Sequence, residues 1–427
     1  MTILNRARQA YYGWRILAAS SIVGAIGGGL INYGFSVFFL PISQSLGLNR
    51  TSTSLVFSLS RSEGAIEGPI AGYLIDRLGP RRVLFVAGVM MGIGYLLLAR
   101  VNSFVTFLVV YMGIISLGFN AGVMHAPMAA ANSWFVRKRG LAIGMLSAFF
   151  GLGGAIVPPL LSLAIRNFGW QTAAFLAGLV VLGVIIPCSF VFRRSPESMG
   201  LLPDGDSDRI SANTEQKQTP APTQVDFTLS EALHTPTFWV LTLAICLRLA
   251  AFIGITAHFV PIMVWKGITE AEGAMLLGAI ALLTVPLRFF LGWAGDRIPR
   301  SYIIAASCAI GALALFLLLY AKPGWQLWAF VVLLTFPESI GPISWSLIAD
   351  FYGRRRFASI RGAMTAFTGV AGAVMPVVAG FLFDTTQSYE TTIWIMLVIL
   401  VLAVVVFAVL RPPTHPTRVD NSPPSSM

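Results

Sequence analysis

Long apolar runs alternate with short polar breaks from residue 13 to residue 410. Each run is about 20 residues, the length an α-helix needs to cross a hydrocarbon core about 30 Å thick. Twelve spans are predicted, near 13–39, 52–75, 83–100, 104–133, 141–165, 169–192, 236–264, 270–294, 301–321, 325–349, 358–383 and 390–410. One long polar stretch interrupts them. Residues 194–234 contain Asp-Gly-Asp-Ser-Asp and Thr-Glu-Gln-Lys-Gln-Thr-Pro-Ala-Pro, a composition too polar to bury and suited to a flexible linker. The expected organisation is a six-helix bundle over 1–193, a linker over 194–234, a second six-helix bundle over 235–411 and a disordered tail over 412–427.

The two halves repeat. Gly72-Tyr-Leu-Ile-Asp76-Arg77-Leu-Gly79-Pro-Arg81-Arg82 ends the second span, and Gly292-Trp-Ala-Gly-Asp296-Arg297-Ile-Pro-Arg300 ends the eighth. Gly151-Leu-Gly-Gly154-Ala-Ile-Val-Pro158 in the fifth span matches Gly369-Val-Ala-Gly372-Ala-Val-Met-Pro376 in the eleventh. Two matches at nearly one offset predict an all-α membrane protein of two pseudo-symmetric bundles in parallel orientation, with a substrate site expected near the midplane between them.

Charge changes the picture by its placement. Only 11% of residues are charged against 56% hydrophobic, with a mean hydropathy of +0.77; a soluble domain carries about 25% charge. The formal charge of +11 sits mostly in short loops, as topology requires, so no nucleic-acid partner is expected. Arg6, Arg8, Arg15, Arg77, Arg81, Arg82, Arg137, Lys138, Arg139, Arg193, Arg194, Arg297, Arg300, Arg354, Arg355, Arg356 and Arg411 mark one side, against Arg50, Arg100, Arg166, Lys266 and Lys322 on the other. Both termini are therefore expected to be cytoplasmic, in a plasma membrane of the bacterial inner-membrane kind. In the external loop at Asn49-Arg50-Thr51, Thr51 or Ser52 is expected to cap the second helix. Cys188, Cys246 and Cys308 have no metal spacing and read as packing residues. The glycines at 24–29 and 151–154 read as helix-approach sites, because no phosphate-loop Gly-Lys-Ser/Thr follows them. No nucleophile–base set, metal cluster or cofactor loop points to an enzyme.

The candidate chemistry lies in charges inside the spans. Arg288, in Thr-Val-Pro-Leu-Arg288-Phe-Phe-Leu, cannot lose its proton, and such a charge survives in a bilayer by facing a partner or a water-filled path. A planar guanidinium binds carboxylate in bidentate fashion, so a small carboxylate anion is the expected ligand. Arg248 in the seventh span is a second anion contact or a partner for Glu338 in the tenth. Glu338 follows Pro337, where a broken helix tolerates polar groups. His258 is a candidate substrate contact and the titratable residue suited to proton coupling, with Glu338 as the other proton-coupling candidate. Asn32 and Tyr33 in the first span, and Asn120 and His125 in the fourth, are further polar candidates for substrate contact. Glu63 and Glu67 share a helix face and Arg61 does not face Glu63; inter-helix pairing is the expected role of all three.

The Gly72–Arg82 segment and its copy at Gly292–Arg300 resemble the loop signature of major facilitator superfamily transporters. Trp134-Phe135-Val-Arg137-Lys138-Arg139-Gly-Leu141-Ala142-Ile-Gly144-Met-Leu-Ser147-Ala148 resembles the monocarboxylate porter pattern, as does Arg288 at the family's substrate arginine, and oxalate/formate antiporters share much of this. The resemblance implies a monomeric secondary transporter of a lactate- or pyruvate-like monocarboxylate, coupled to a proton and working by alternating access. Exchange of oxalate/formate type and export of a larger organic anion are the alternatives. It also implies latches at Asp76, Arg77, Asp296 and Arg297. Three positions depart from the pattern: Thr284 stands where proton-coupled animal members have Asp, Tyr33 where a Lys is expected, and Tyr11 and Tyr12 where an acidic residue precedes Gly13.

Overall fold

The computed structural model describes residues 11–135, 138–202, 204, 227–295, 297–353 and 357–413. The protein is helical throughout its apolar runs. In chain order the spans are α1 (Tyr12–Ser45), α2 (Arg50–Leu78), α3 (Pro80–Leu98) and α4 (Phe104–Trp134). The stretch Arg139–Val191 is continuous except at Gly169, where φ is +81°, and this break divides it into α5 and α6. The second half follows with α7 (Pro236–Ala257, continued by Phe259–Trp265), α8 (Glu270–Gly295), α9 (Arg300–Tyr320), α10 (Trp325–Tyr352), α11 (Phe357–Thr386) and α12 (Glu390–Val409).

The twelve predicted spans are present, several with longer ends. The first continues through Pro41 to Ser45, and the predicted loop between the fifth and sixth is a single left-handed glycine. Only glycine adopts that conformation without a Cβ clash, so a sharp redirection needs just one residue. α2 is capped by Asn49, whose Oδ1 accepts from the Ser52 backbone N–H at 2.8 Å; this replaces the predicted Thr51 or Ser52 cap.

Proline explains the internal breaks. α7 is interrupted at His258, four residues after Gly254 and three before Pro261, whose missing N–H frees the Ala257 carbonyl. α10 is interrupted at Ile340, between Pro337 and Pro342. The sequence pattern does not announce a third kind of irregularity. Gly28–Tyr33 in α1, and Tyr111–Ser116 and Phe119–Val123 in α4, are π-helical. Such wide turns are rare and concentrate at functional sites.

The chain forms two compact units. The first comprises Met1–Thr214, Ile255–Val285 and Pro376–Tyr389; the second comprises Glu215–Gly254, Pro286–Met375 and Glu390–Met427. α7, α8 and α11 thus contribute to both, changing over at Gly254, Pro286 and Pro376. Large apolar side chains remain exposed along most spans, among them Leu160, Leu163, Phe289, Phe290, Val370 and Phe381. In a bilayer these are the lipid-facing positions, where exposure of apolar surface carries no penalty. Tyr320 and Trp325 are 67% and 74% exposed beside the α9–α10 turn, as interfacial aromatics are.

Within the first unit α1 and α5 approach closely. A Cβ on Gly153 would overlap the Ala25 carbonyl, and one on Gly29 would strike Val157 and the Gly153 carbonyl. Glycine at both positions is what lets the two backbones touch.

Candidate functional site

In the second unit, α7, α8 and α10 bring together Arg248, Arg288 and Glu338. The freed geometry at Pro337 decides the arrangement: its carbonyl, at the break of α10, accepts from Arg248 Nη1 at 3.0 Å. The next residue, Glu338, approaches Arg288 with Oε1 4.0 Å from Nη2, and the two side chains are 24% (Arg288) and 4% (Glu338) exposed. Arg288 is therefore the ion-pair partner observed for Glu338, and Arg248 is held by a backbone carbonyl. The Nε atoms of both arginines are buried without a hydrogen-bond partner among the described residues. Thr284, one turn before Arg288, donates to its own helix at the Ile280 carbonyl and is turned away from this chemistry.

His258 lies in the first unit, fully buried, and both ring nitrogens are committed. Nε2 is 2.9 Å from the Pro376 carbonyl and 2.8 Å from Ser54 Oγ, and Nδ1 is 2.8 Å from the Tyr389 hydroxyl. A carbonyl only accepts, so Nε2 carries the hydrogen and Nδ1 receives the Tyr389 proton. Tyr389 accepts in turn from Arg50 Nη1 at 2.5 Å. The same Arg50 guanidinium lies 3.4 Å above the Phe383 ring. Asp384 completes the knot: Oδ1 takes the Arg50 N–H at 3.0 Å, and Oδ2 takes the Thr51 N–H at 2.8 Å and its hydroxyl at 2.5 Å. A carboxylate on the first turn of α2 answers its orphan N–H groups and the positive end of its dipole. Nothing in the sequence singled out Asp384, Tyr389 or the role of Arg50; the signal was an acid ending one apolar run and an N-cap motif opening another.

The other predicted residues are placed as follows. Asn120 on α4 donates to Ser116 Oγ at 3.1 Å and to the Ser60 carbonyl of α2 at 3.5 Å, so it ties the two helices together. Tyr33 is buried at the end of the first π segment, against the position of Gly154; Asn32 and His125 are half-buried. Glu63 and Glu67 lie beside each other near Ser116 and Asn120, and Glu63 Oε2 and both Glu67 carboxyl oxygens are buried without a hydrogen-bond partner among the described residues. Of the latch residues, Arg77 reaches Tyr73 on its own helix, and Arg297 lies over the Trp293 ring at 4.0 Å. The Asp76 side chain and all of Asp296 lie outside the described residues. The cross-helix ion pair of this region is Arg300 with Asp350, Nη1 to both carboxylate oxygens at 2.6 Å. At the start of α1, the Tyr11 hydroxyl donates to the Trp134 carbonyl at 2.9 Å, and burial, then the Asp204 charge, push its pKa up to about 12.

The Arg248, Arg288 and Glu338 cluster, charged and inside apolar helices, with no metal-binding group of His, Cys, Asp and Glu among the described residues, suits recognition of a small ion. Known proteins agree in architecture. The chain is 29% identical over 288 residues to the oxalate:formate antiporter of Oxalobacter formigenes, a match spanning 67% of this chain and 64% of that protein. It is 23% identical over 385 residues to monocarboxylate transporter 13 of Rattus norvegicus, covering 89% of this chain and 85% of that one. A bacterial homolog of the human lysosomal transporter Spinster, solved inward-facing and unoccupied, shares the fold with a TM-score of 0.74 at 14% identity, over 93% of this chain and 96% of that chain. The family model described as Major Facilitator Superfamily matches residues 21–359 and, in a second alignment, 267–426. With twelve spans, an internal repeat and a match running through both halves, the chain belongs to the Major Facilitator Superfamily.

Proposed function

We propose that this transporter carries a small monocarboxylate of the lactate or pyruvate kind together with a proton, by alternating access, across a plasma membrane with both termini in the cytoplasm. The sequence halves 1–193 and 235–411 are the bodies whose rearrangement this requires. The observation that carries the reading is the Arg288–Glu338 pair. At 4.0 Å it is a loose ion pair that leaves the guanidinium fork without a bidentate acceptor. A substrate carboxylate takes the fork, and Glu338, displaced from its cation, takes a proton rather than remain a buried charge. Arginine, substrate and protonated carboxyl together are as neutral as the resting pair, so anion and proton move as one. His258, with Arg50, Tyr389 and Asp384, is a lock that must break when that end of the protein opens. The Asp76–Arg77 and Asp296–Arg297 segments act as latches at the opposite end.

Arg248 favours a second reading. It is 3% exposed, with no ion pair among the described residues, so this cluster carries two cations against one carboxylate. That balance suits a dianion or obligatory anion exchange. Uptake of labelled L-lactate into proteoliposomes, with and without an inward proton gradient, separates the two. Symport predicts gradient-driven uptake that is lost in Arg288→Ala, with Glu338→Gln losing the response to the gradient. Uptake that ignores the gradient and needs an internal anion establishes exchange. Wild-type protein that moves neither L-lactate nor pyruvate under either condition, or an Arg288→Ala variant that transports normally, overturns the proposal.

A further inference from the structure

A third cation sits in the first unit, apart from Arg288 and Arg248. Arg61 lies eleven residues into the helix that begins at Arg50, about 16 Å along its axis and so near the middle of a hydrocarbon core roughly 30 Å thick. Among the described residues it has no ion pair, and its Nε is buried without a hydrogen-bond partner. The neighbouring carboxyls of α2, Glu63 and Glu67, lie beside each other and form no ion pair with Arg61 among the described residues. Arg61 interacts electrostatically with the phenols of Tyr111 and Tyr33 instead. Its guanidinium rests 5.1 Å over the Phe57 ring, which stacks on Phe35 at 4.5 Å, and Phe35 meets the Tyr111 ring at 5.2 Å. The Tyr111 hydroxyl, on a residue 4% exposed, has no hydrogen-bond partner among the described residues.

The backbone supports the same spot. Tyr33 closes the π-helical segment of α1, and Tyr111 opens the first of the two in α4. A π turn inserts one extra residue and shifts every following side chain around the axis, so Tyr33 owes its direction to an irregularity that costs helix stability, and Tyr111 stands where the next one begins. The cluster holds a guanidinium nitrogen and the Tyr111 hydroxyl, both buried without a hydrogen-bond partner among the described residues, with Tyr33 beside them. A cation–π contact offsets only part of the charge.

We propose that Arg61, with Tyr33 and Tyr111, is an oxyanion-binding site that receives a carboxylate group of the transported anion. The proposal rests on the reading of the protein as an organic-anion carrier, and it draws its contacts from α1, α2 and α4 of the first unit. It is offered in place of the inter-helix pairing expected for Arg61, which has no ion pair among the described residues.

The test is anion-dependent thermal stabilisation of the purified full-length protein, titrated with sodium oxalate, formate and L-lactate against sodium chloride at equal ionic strength. The variants are Arg61→Gln, Tyr111→Phe and Arg288→Gln. The expected result is a tenfold or greater loss of apparent anion affinity in Arg61→Gln and a severalfold loss in Tyr111→Phe. The anion-free melting temperature of Arg61→Gln should be unchanged or raised, because an uncompensated charge has been removed. Wild-type affinity in Arg61→Gln overturns the site while leaving Arg288 untouched. A lowered anion-free melting temperature in Arg61→Gln together with wild-type affinity in Tyr111→Phe marks Arg61 as structural and also overturns it. Affinity lost in Arg61→Gln but intact in Arg288→Gln upholds this site and refutes the role given to Arg288. Absence of stabilisation by any of the three anions in the wild type overturns both.

Discussion

Asp384→Asn isolates the lock at the start of α2. The carboxylate accepts three hydrogen bonds there, from the Arg50 and Thr51 backbone N–H groups and the Thr51 hydroxyl. An amide of the same shape keeps one acceptor oxygen and turns the other into a donor facing a donor. It also removes the negative charge from a helix N-terminus. A lost charge-assisted hydrogen bond and a lost dipole interaction together cost about 2 kcal/mol at a partly buried site, or roughly 30-fold in an equilibrium constant. Asn49 still caps the helix, so α2 itself should persist and the loss should fall on its attachment to α11. The assay is the labelling rate of Ser58→Cys, a site 3% exposed on α2, by a membrane-impermeant maleimide, with Cys188, Cys246 and Cys308 replaced by serine. Asp384→Asn should raise that rate by about tenfold or more, and Thr51→Val, which removes only the hydroxyl contact, by less. Labelling within twofold of the parent, with an unchanged melting temperature, refutes the account of Asp384 as the tie between the two helices.

Three further outcomes are expected. Gly153→Ala should lower the melting temperature by several degrees, since overpacking against the Ala25 carbonyl costs about 1–3 kcal/mol, whereas Gly113→Ala, with nothing near its Cβ position, should not. His258→Gln should speed Ser58→Cys labelling yet keep any response of uptake to a proton gradient, because both imidazole nitrogens are bound within the lock; loss of the gradient response alone would return the proton to His258. The Tyr11 phenol has its pKa raised from 10.0 to about 12, so the unfolded chain gives up this proton first. Its stabilisation is complete below pH 10.0 and is lost as pH rises towards about 12. Melting curves over that window should therefore fall more steeply for the wild type than for Tyr11→Phe.

The sequence by itself determined the twelve helices, their repeat and the identity of Arg288, Arg248 and Glu338 as charges needing an explanation. Hydrocarbon thickness sets the length of each span, and a permanent charge in an apolar run stands out whatever surrounds it. Glycine at 29 and 153 was legible as a site of close approach for a similar reason: only absence of a side chain meets that demand. Which groups meet was a different matter. Three helical residues turn the chain by 300° in an α-helix but by less in a π-helix, so no periodic reading of α1 could aim Tyr33 correctly, nor one of α4 the residues after Tyr111. Partner choice needed the fold as well. Glu338 lay within reach of either arginine on paper, and the break at Pro337 gave Arg248 a carbonyl and left Glu338 to Arg288. His258 was assigned by its ionisation range, yet its partners come from Ser54, Pro376 and Tyr389, far apart in the chain. Local propensity and hydropathy act over one or two helical turns, whereas a polar contact inside a membrane is decided by which helices the tertiary packing sets side by side.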